Sequence, residues 1–140
     1  MDMKFARLNE FAVPITRKYP KDAGADVYLL EKRLIVWPFS YKVASTGITV
    51  EIPENYMLLA KPKSRNNHLI GAGVLDCGYQ GEVKIKIINY TPWPIIFKHG
   101  DPIAQLVLVK IDTPNLVEVE NIHLHPSERG ATGGILKTRQ

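Results

Sequence analysis

The sequence predicts an all-β domain. Three observations carry that expectation. Short runs rich in β-branched and aromatic residues recur along the chain, and one of them alternates strictly between apolar and charged residues. Ten prolines and ten glycines are spread through the 140 residues, and no window of helical length shows a clean 3.6-residue apolar stripe without one of them interrupting it. No repeat, low-complexity stretch or linker divides the chain, so one domain is expected, of sandwich, jelly-roll or barrel type.

In chain order, the first strand-like runs are Asp26-Val27-Tyr28-Leu29-Leu30 and Arg33-Leu34-Ile35-Val36-Trp37. Thr46 to Ile52 and Tyr56 to Ala60 follow, each ended by a proline or a polar cluster. Gly71 to Glu82 reads as strand, tight hairpin, strand. Glu82-Val83-Lys84-Ile85-Lys86-Ile87 is the clearest strand: Val83, Ile85 and Ile87 fall on one face, Lys84 and Lys86 on the other. The last run, Ile103 to Val109, contains Leu106-Val107-Leu108-Val109. Like Leu58-Leu59-Ala60, it does not alternate, which expects cover on both faces and hints at a subunit interface.

Composition excludes several classes. No apolar run approaches the roughly 20 residues of a membrane helix. The N-terminal Met1-Asp2-Met3-Lys4-Phe5 lacks the layout of a signal peptide. Cys77 is the only cysteine, which rules out an internal disulfide framework and a cysteine-rich zinc site and suits a reducing, cytoplasmic setting. The net charge of +4 either reflects an ordinary solvated surface with a few spare lysines or suits an anionic ligand such as a nucleotide. No block of like charge marks a nucleic-acid groove, so no stable nucleic-acid binding is expected, and no membrane partner.

Five polar segments carry the candidate chemistry. Asp22-Ala23-Gly24-Ala25-Asp26 brackets small residues with two carboxylates; it is either a hydrated-cation site or an ordinary turn. Pro62-Lys63-Ser64-Arg65-Asn66-Asn67-His68 offers, in its serine between Lys63 and Arg65, cationic and hydroxyl donors suited to phosphate, or is a solvated polar loop. Gly71-Ala72-Gly73-Val74-Leu75-Asp76-Cys77-Gly78-Tyr79 places a carboxylate at a hairpin mouth, where it could act as general base, with Tyr79 free to stack on a sugar. In His99-Gly100-Asp101-Pro102-Ile103-Ala104-Gln105, the amide of Gln105 interrupts an apolar strand and needs a partner. Arg129-Gly130-Ala131-Thr132-Gly133-Gly134 reads as an anion-binding loop or a tail. Cys77, beside Asp76 and no base, is not expected to be a nucleophile. His123 and His125 alternate, but no third ligand is evident for a metal.

Taken together, in order and spacing, these segments resemble the five motifs of the trimeric dUTP pyrophosphatases (dUTPases), from Asp22 to about Thr138. The resemblance implies a jelly-roll or β-clip fold and a homotrimer with active sites at subunit interfaces. It implies residues 1–128 as the domain and 129–140 as a glycine-rich tail closing the site. It also implies Mg²⁺-dependent hydrolysis of a deoxynucleoside triphosphate, dUTP, to dUMP and pyrophosphate. By family role, Asp76 would orient and deprotonate water, and Tyr79 would pack on the deoxyribose. The backbone around Gly73 would read uracil, and Asp26 would contact a magnesium-bound water. Lys63, Ser64, Arg65 and Gln105 would face the phosphates, with Arg129, Gly133 and Gly134 at the γ-phosphate.

Departures from the family pattern are local. Lys63 replaces the usual arginine, Arg65-Asn66-Asn67 follows the serine, and the short stretch to Gly71 leaves no room for the usual small helix. Pro102 stands where an arginine is common, and Ile135 where the lid aromatic is usual. Two other readings share the fold. A dCTP deaminase needs a glutamate where Lys86 stands. A non-catalytic nucleotide- or protein-binding module would not need Asp76.

Overall fold

A computed structural model of the chain describes residues 1–64, 66–71, 73–123 and 128. Among them there are ten strands and no helix. They are β1 (Lys4–Arg7), β2 (Gly24–Tyr28), β3 (Arg33–Val36), β4 (Tyr41–Glu51) and β5 (Tyr56–Lys61). Then come β6 (Leu69–Ile70), β7 (Gly73–Asp76), β8 (Glu82–Ile88), β9 (Ile95–Lys98) and β10 (Pro102–Lys110). The short stretch between Ser64 and Leu69 contains no helix among its described residues, as its length predicts.

Two four-stranded sheets form the body. One has the order β1-β4-β8-β6, the other β2-β10-β5-β7; β3 and β9 pair separately. All pairings are antiparallel. The alternation of β8 becomes burial: Val83, Ile85 and Ile87 are buried while Lys84 and Lys86 are exposed. They join Ile48 and Val50 of β4 and, from the second sheet, Val27, Leu58, Ile103 and Leu106 in one core. Each such side chain contributes about 1.5–3 kcal/mol through burial.

The expected hairpin between Gly71 and Glu82 is not one. β7 pairs with β5, and β8 pairs with β4 and β6, so the two strands on either side of the turn belong to different sheets. The turn residues Cys77-Gly78 have hairpin chemistry, but β7 finds its ladder on β5 instead. The result is an arch with the edge of β7 left unpaired on one side.

The second sheet sets the rest of the site. Its outward row runs Asp26, Gln105, Lys61 across β2, β10 and β5. Further along the same face, Leu59 and Val107 are opposed, as are Met57 and Val109. All four are half-buried rather than covered, so the non-alternating runs place apolar side chains on both faces. A bulge between Pro102 and Ala104 releases the Ile103 carbonyl from the ladder, and the buried His68 takes it, Nε2 to O 2.9 Å.

Candidate active site

The arch holds the first half of the site. A cleft of about 250 Å³ is lined by Gly73 to Asp76 of β7 together with Tyr79, Glu82 and Lys84. Asp76 ends β7 opposite Met57, and its side chain is exposed. Its carbonyl accepts from the N–H of Tyr79 at 3.0 Å, which closes the turn. The Tyr79 hydroxyl donates to the Glu82 carbonyl at 2.5 Å and lies over Gly81, where a Cβ would come within 2.7 Å of it. The ring is thereby held at the cleft with its face available. An unpaired strand edge, a solvated carboxylate and a fixed aromatic face can hold a planar polar ring and a sugar and activate a water.

The second half is a cleft of about 320 Å³ lined by Lys18, Lys63, Ser64 and Gln105. The amide of Gln105 donates to the Pro62 carbonyl at 3.1 Å, the partner that its place in an apolar strand requires. Gly24 makes room for it: a Cβ there would lie 2.0 Å from Gln105 Oε1. Lys63 Nζ lies 2.7 Å from Asp26 Oδ1. Asp26 is therefore already neutralised by the lysine that replaces the motif arginine. Asp22 acts as the turn-former: Tyr19 N–H donates to its Oδ2 at 3.2 Å, and its own N–H to the Tyr19 carbonyl at 3.0 Å.

Among the described residues no cluster of three or more His, Cys, Asp or Glu side chains could cage a metal ion, and His123 gains no such company. His125 lies outside the described residues, as do Arg65, Arg129, Gly133 and Gly134. Cys77 is a free, exposed thiol beside the first cleft. Lys86, which stands where a deaminase needs a glutamate, is exposed, with its ammonium 4.3 Å from the centre of the Tyr41 ring.

Sequence reasoning missed Lys18. Its position depends on a two-way backbone bridge between Thr16 and Asp26, and nothing local in the sequence announces that pairing. It gave His68, the last residue of the second polar segment, no role of its own; the side chain is buried and bonded to the Ile103 carbonyl at the β10 bulge.

The two clefts lie apart within one chain. Asp76 is opposite Met57 on β5, and Gln105 is opposite Lys61. Four residues of strand and two strand spacings separate them, about 16 Å.

Comparison with known proteins places the chain. A family model described as dUTPase matches residues 11–135. The deoxyuridine 5'-triphosphate nucleotidohydrolase of Gloeobacter violaceus is 33% identical over 130 residues, covering 88% of each protein. That of Yarrowia lipolytica is 35% identical over 138 residues, covering 95% of this chain and 87% of its own. Among solved structures, the Staphylococcus bacteriophage 80alpha dUTPase with dUPNHPP superposes with a TM-score of 0.86 at 28% identity, covering 94% of this chain and 95% of that one. A mutant dUTPase from phage phi11 of S. aureus, which coordinates a structural Mg(II) ion, gives a TM-score of 0.80 at 27% identity, covering 89% of this chain and all of that one. With the fold, the motif order and the family match in agreement, the chain belongs to the dUTPase family.

Proposed function

We propose that the chain hydrolyses dUTP to dUMP and pyrophosphate. The observation that carries the reading is the arch: a solvated Asp76 and a fixed Tyr79 ring on one cleft beside an unpaired strand edge. The edge offers backbone donors and acceptors for the uracil ring. Tyr79 packs against the deoxyribose. Asp76 removes a proton from a water, whose oxygen attacks the α-phosphorus while the bond to the bridging oxygen breaks and pyrophosphate leaves.

Ser64, Gln105 and Lys63 would hold phosphate oxygens. Bound Mg²⁺ would neutralise phosphate charge that otherwise repels the incoming water oxygen. The donor set suits an ion carried by the triphosphate rather than caged by protein: no carboxylate is among the described residues that line the cleft, and Asp26 stands behind Lys63, its Oδ1 accepting from Nζ at 2.7 Å. Asp26 would face the hydration shell of such an ion. Arg129 and the glycines after it would close over the γ-phosphate.

The separation of about 16 Å favours a shared site. A base must lie within hydrogen-bond reach of its water, which must touch the phosphorus. The phosphate cleft that serves Asp76 is therefore supplied by another copy of the chain, and we take the assembly to be a homotrimer. Cytoplasmic location suits both a nucleotide substrate and the exposed free thiol of Cys77. The test is pyrophosphate release from a panel of deoxynucleoside triphosphates, with and without Mg²⁺. Fast release from dUTP alone is the expected result. No release from any of them would favour a binding module; ammonia release from dCTP would favour a deaminase.

A further inference from the structure

Of the charged groups at the phosphate cleft, Lys63 is committed to Asp26 at 2.7 Å. That pair contributes no net charge. Lys18 lines the same cleft, and among the described residues it makes no salt bridge; its ammonium rests 5.5 Å from the centre of the Tyr19 ring.

Its place is fixed from both sides in sequence. Before it, Thr16 and Asp26 exchange both backbone hydrogen bonds, N to O 3.2 and 2.6 Å, and the Thr16 hydroxyl meets the Tyr28 hydroxyl at 2.5 Å. After it, Tyr19 and Asp22 close a turn through two hydrogen bonds. The segment is thus pinned along β2, with Lys18 carried to the mouth of the cleft beside Ser64 and Gln105.

From this placement we infer that Lys18 is a phosphate-binding residue of this chain, outside the five motifs, and that it supplies a cation to the cradle that no described carboxylate engages. The inference rests on the dUTPase reading above. The sequence shows why such a cation would be needed here. The motif arginine is replaced by Lys63, which Asp26 engages, and Pro102 stands where a second arginine is common. Among the described residues, Lys63 and Asp26 cancel, so without Lys18 they would return little to a triphosphate that gives up its solvation; one uncommitted ammonium adds a net positive charge. The lysine would meet the β- and γ-phosphates, which leave as pyrophosphate, rather than the nucleoside.

The test compares Lys18→Ala and Lys18→Arg with wild type in three measurements on the assembled protein. These are binding of inorganic pyrophosphate by calorimetry, product inhibition by dUMP, and steady-state hydrolysis of dUTP. Lys18→Ala should weaken pyrophosphate binding and raise KM for dUTP about tenfold each, the scale of one charge-assisted contact. Inhibition by dUMP should change less than twofold, and Lys18→Arg should restore most of the loss. Pyrophosphate binding within twofold of wild type in Lys18→Ala, or equal weakening of dUMP, overturns the role. Because the pyrophosphate measurement needs no turnover, a wild-type protein inactive on dUTP would defeat the dUTPase reading while leaving the Lys18 result legible.

Discussion

Asp76 sits at the end of an edge strand with its carboxylate in solvent, so it can be replaced without disturbing the core. Asp76→Asn keeps the shape and removes the basicity. Turnover of dUTP should fall by about two to four orders of magnitude, with the melting temperature unchanged; a variant that turns over at wild-type rate would take Asp76 out of the role of base. Gly24 is a second single-residue lever. An alanine Cβ there collides with the far end of a flexible side chain, Gln105 Oε1, rather than with backbone. Gly24→Ala should therefore fold, swing the Gln105 amide away from Pro62, and raise KM for dUTP several-fold with a smaller change in kcat. The residue types at Asp76, Tyr79 and Gln105 were legible because each violates its surroundings: a carboxylate and an aromatic among glycines, an amide in an apolar strand. Lys18 was not, because a surface lysine shortly after a threonine and before a tyrosine looks like any other until Thr16 is found bridged to Asp26.

At the scale of elements, period and burial agree wherever a strand has one wet face, as in β8. The error was the turn at Cys77-Gly78. Local turn chemistry fits a hairpin, but which strand pairs with which is decided by the remote β5, and that choice opens the cleft. Gly81 keeps the arch in shape. In Gly81→Ala the new Cβ would press on the Tyr79 hydroxyl and push it off the Glu82 carbonyl. If Tyr79 excludes a ribose 2′-hydroxyl, the variant should lose discrimination between dUTP and UTP, read as the ratio of kcat/KM values. The loop after Ser64 gives a pH signature. His68 must carry its proton on Nε2 to donate to Ile103; Nδ1 is buried without a partner, and the ring packs edge-on against Phe97, 5.0 Å between centroids. Burial holds its pKa below the ordinary 6.5, against the opposing effect of the Ile103 hydrogen bond. The unfolded chain then binds the proton first. Stability is complete above about pH 6.5 and declines as pH falls toward the lowered value. His68→Gln should flatten the fall in melting temperature between about pH 7 and 5.5; an unchanged slope would mean another group sets it.

The whole molecule as a single chain leaves two things unfinished. The outer face of the second sheet presents Leu59, Val107, Met57 and Val109 half-buried, with Val74 exposed beside them. Beyond β10, residues 111–123 run without regular structure, and Leu116, Val117, Val119 and Ile122 are all exposed. Apolar surface on this scale, in a chain with a well-filled core, is what the proposed assembly would cover. The proposed site makes the same demand independently: with Asp76 as base and Gln105 at the phosphates, about 16 Å apart, the proposed reading needs a second subunit to complete the site. For the homotrimer proposed above, light scattering should give three times the chain mass at working concentration. A charged residue on the outer sheet face, as in Val107→Glu, should shift that mass toward the monomer and abolish turnover together, while the far-ultraviolet spectrum stays β-like. Dissociation with activity retained would separate the two demands and show that the site is completed within one subunit.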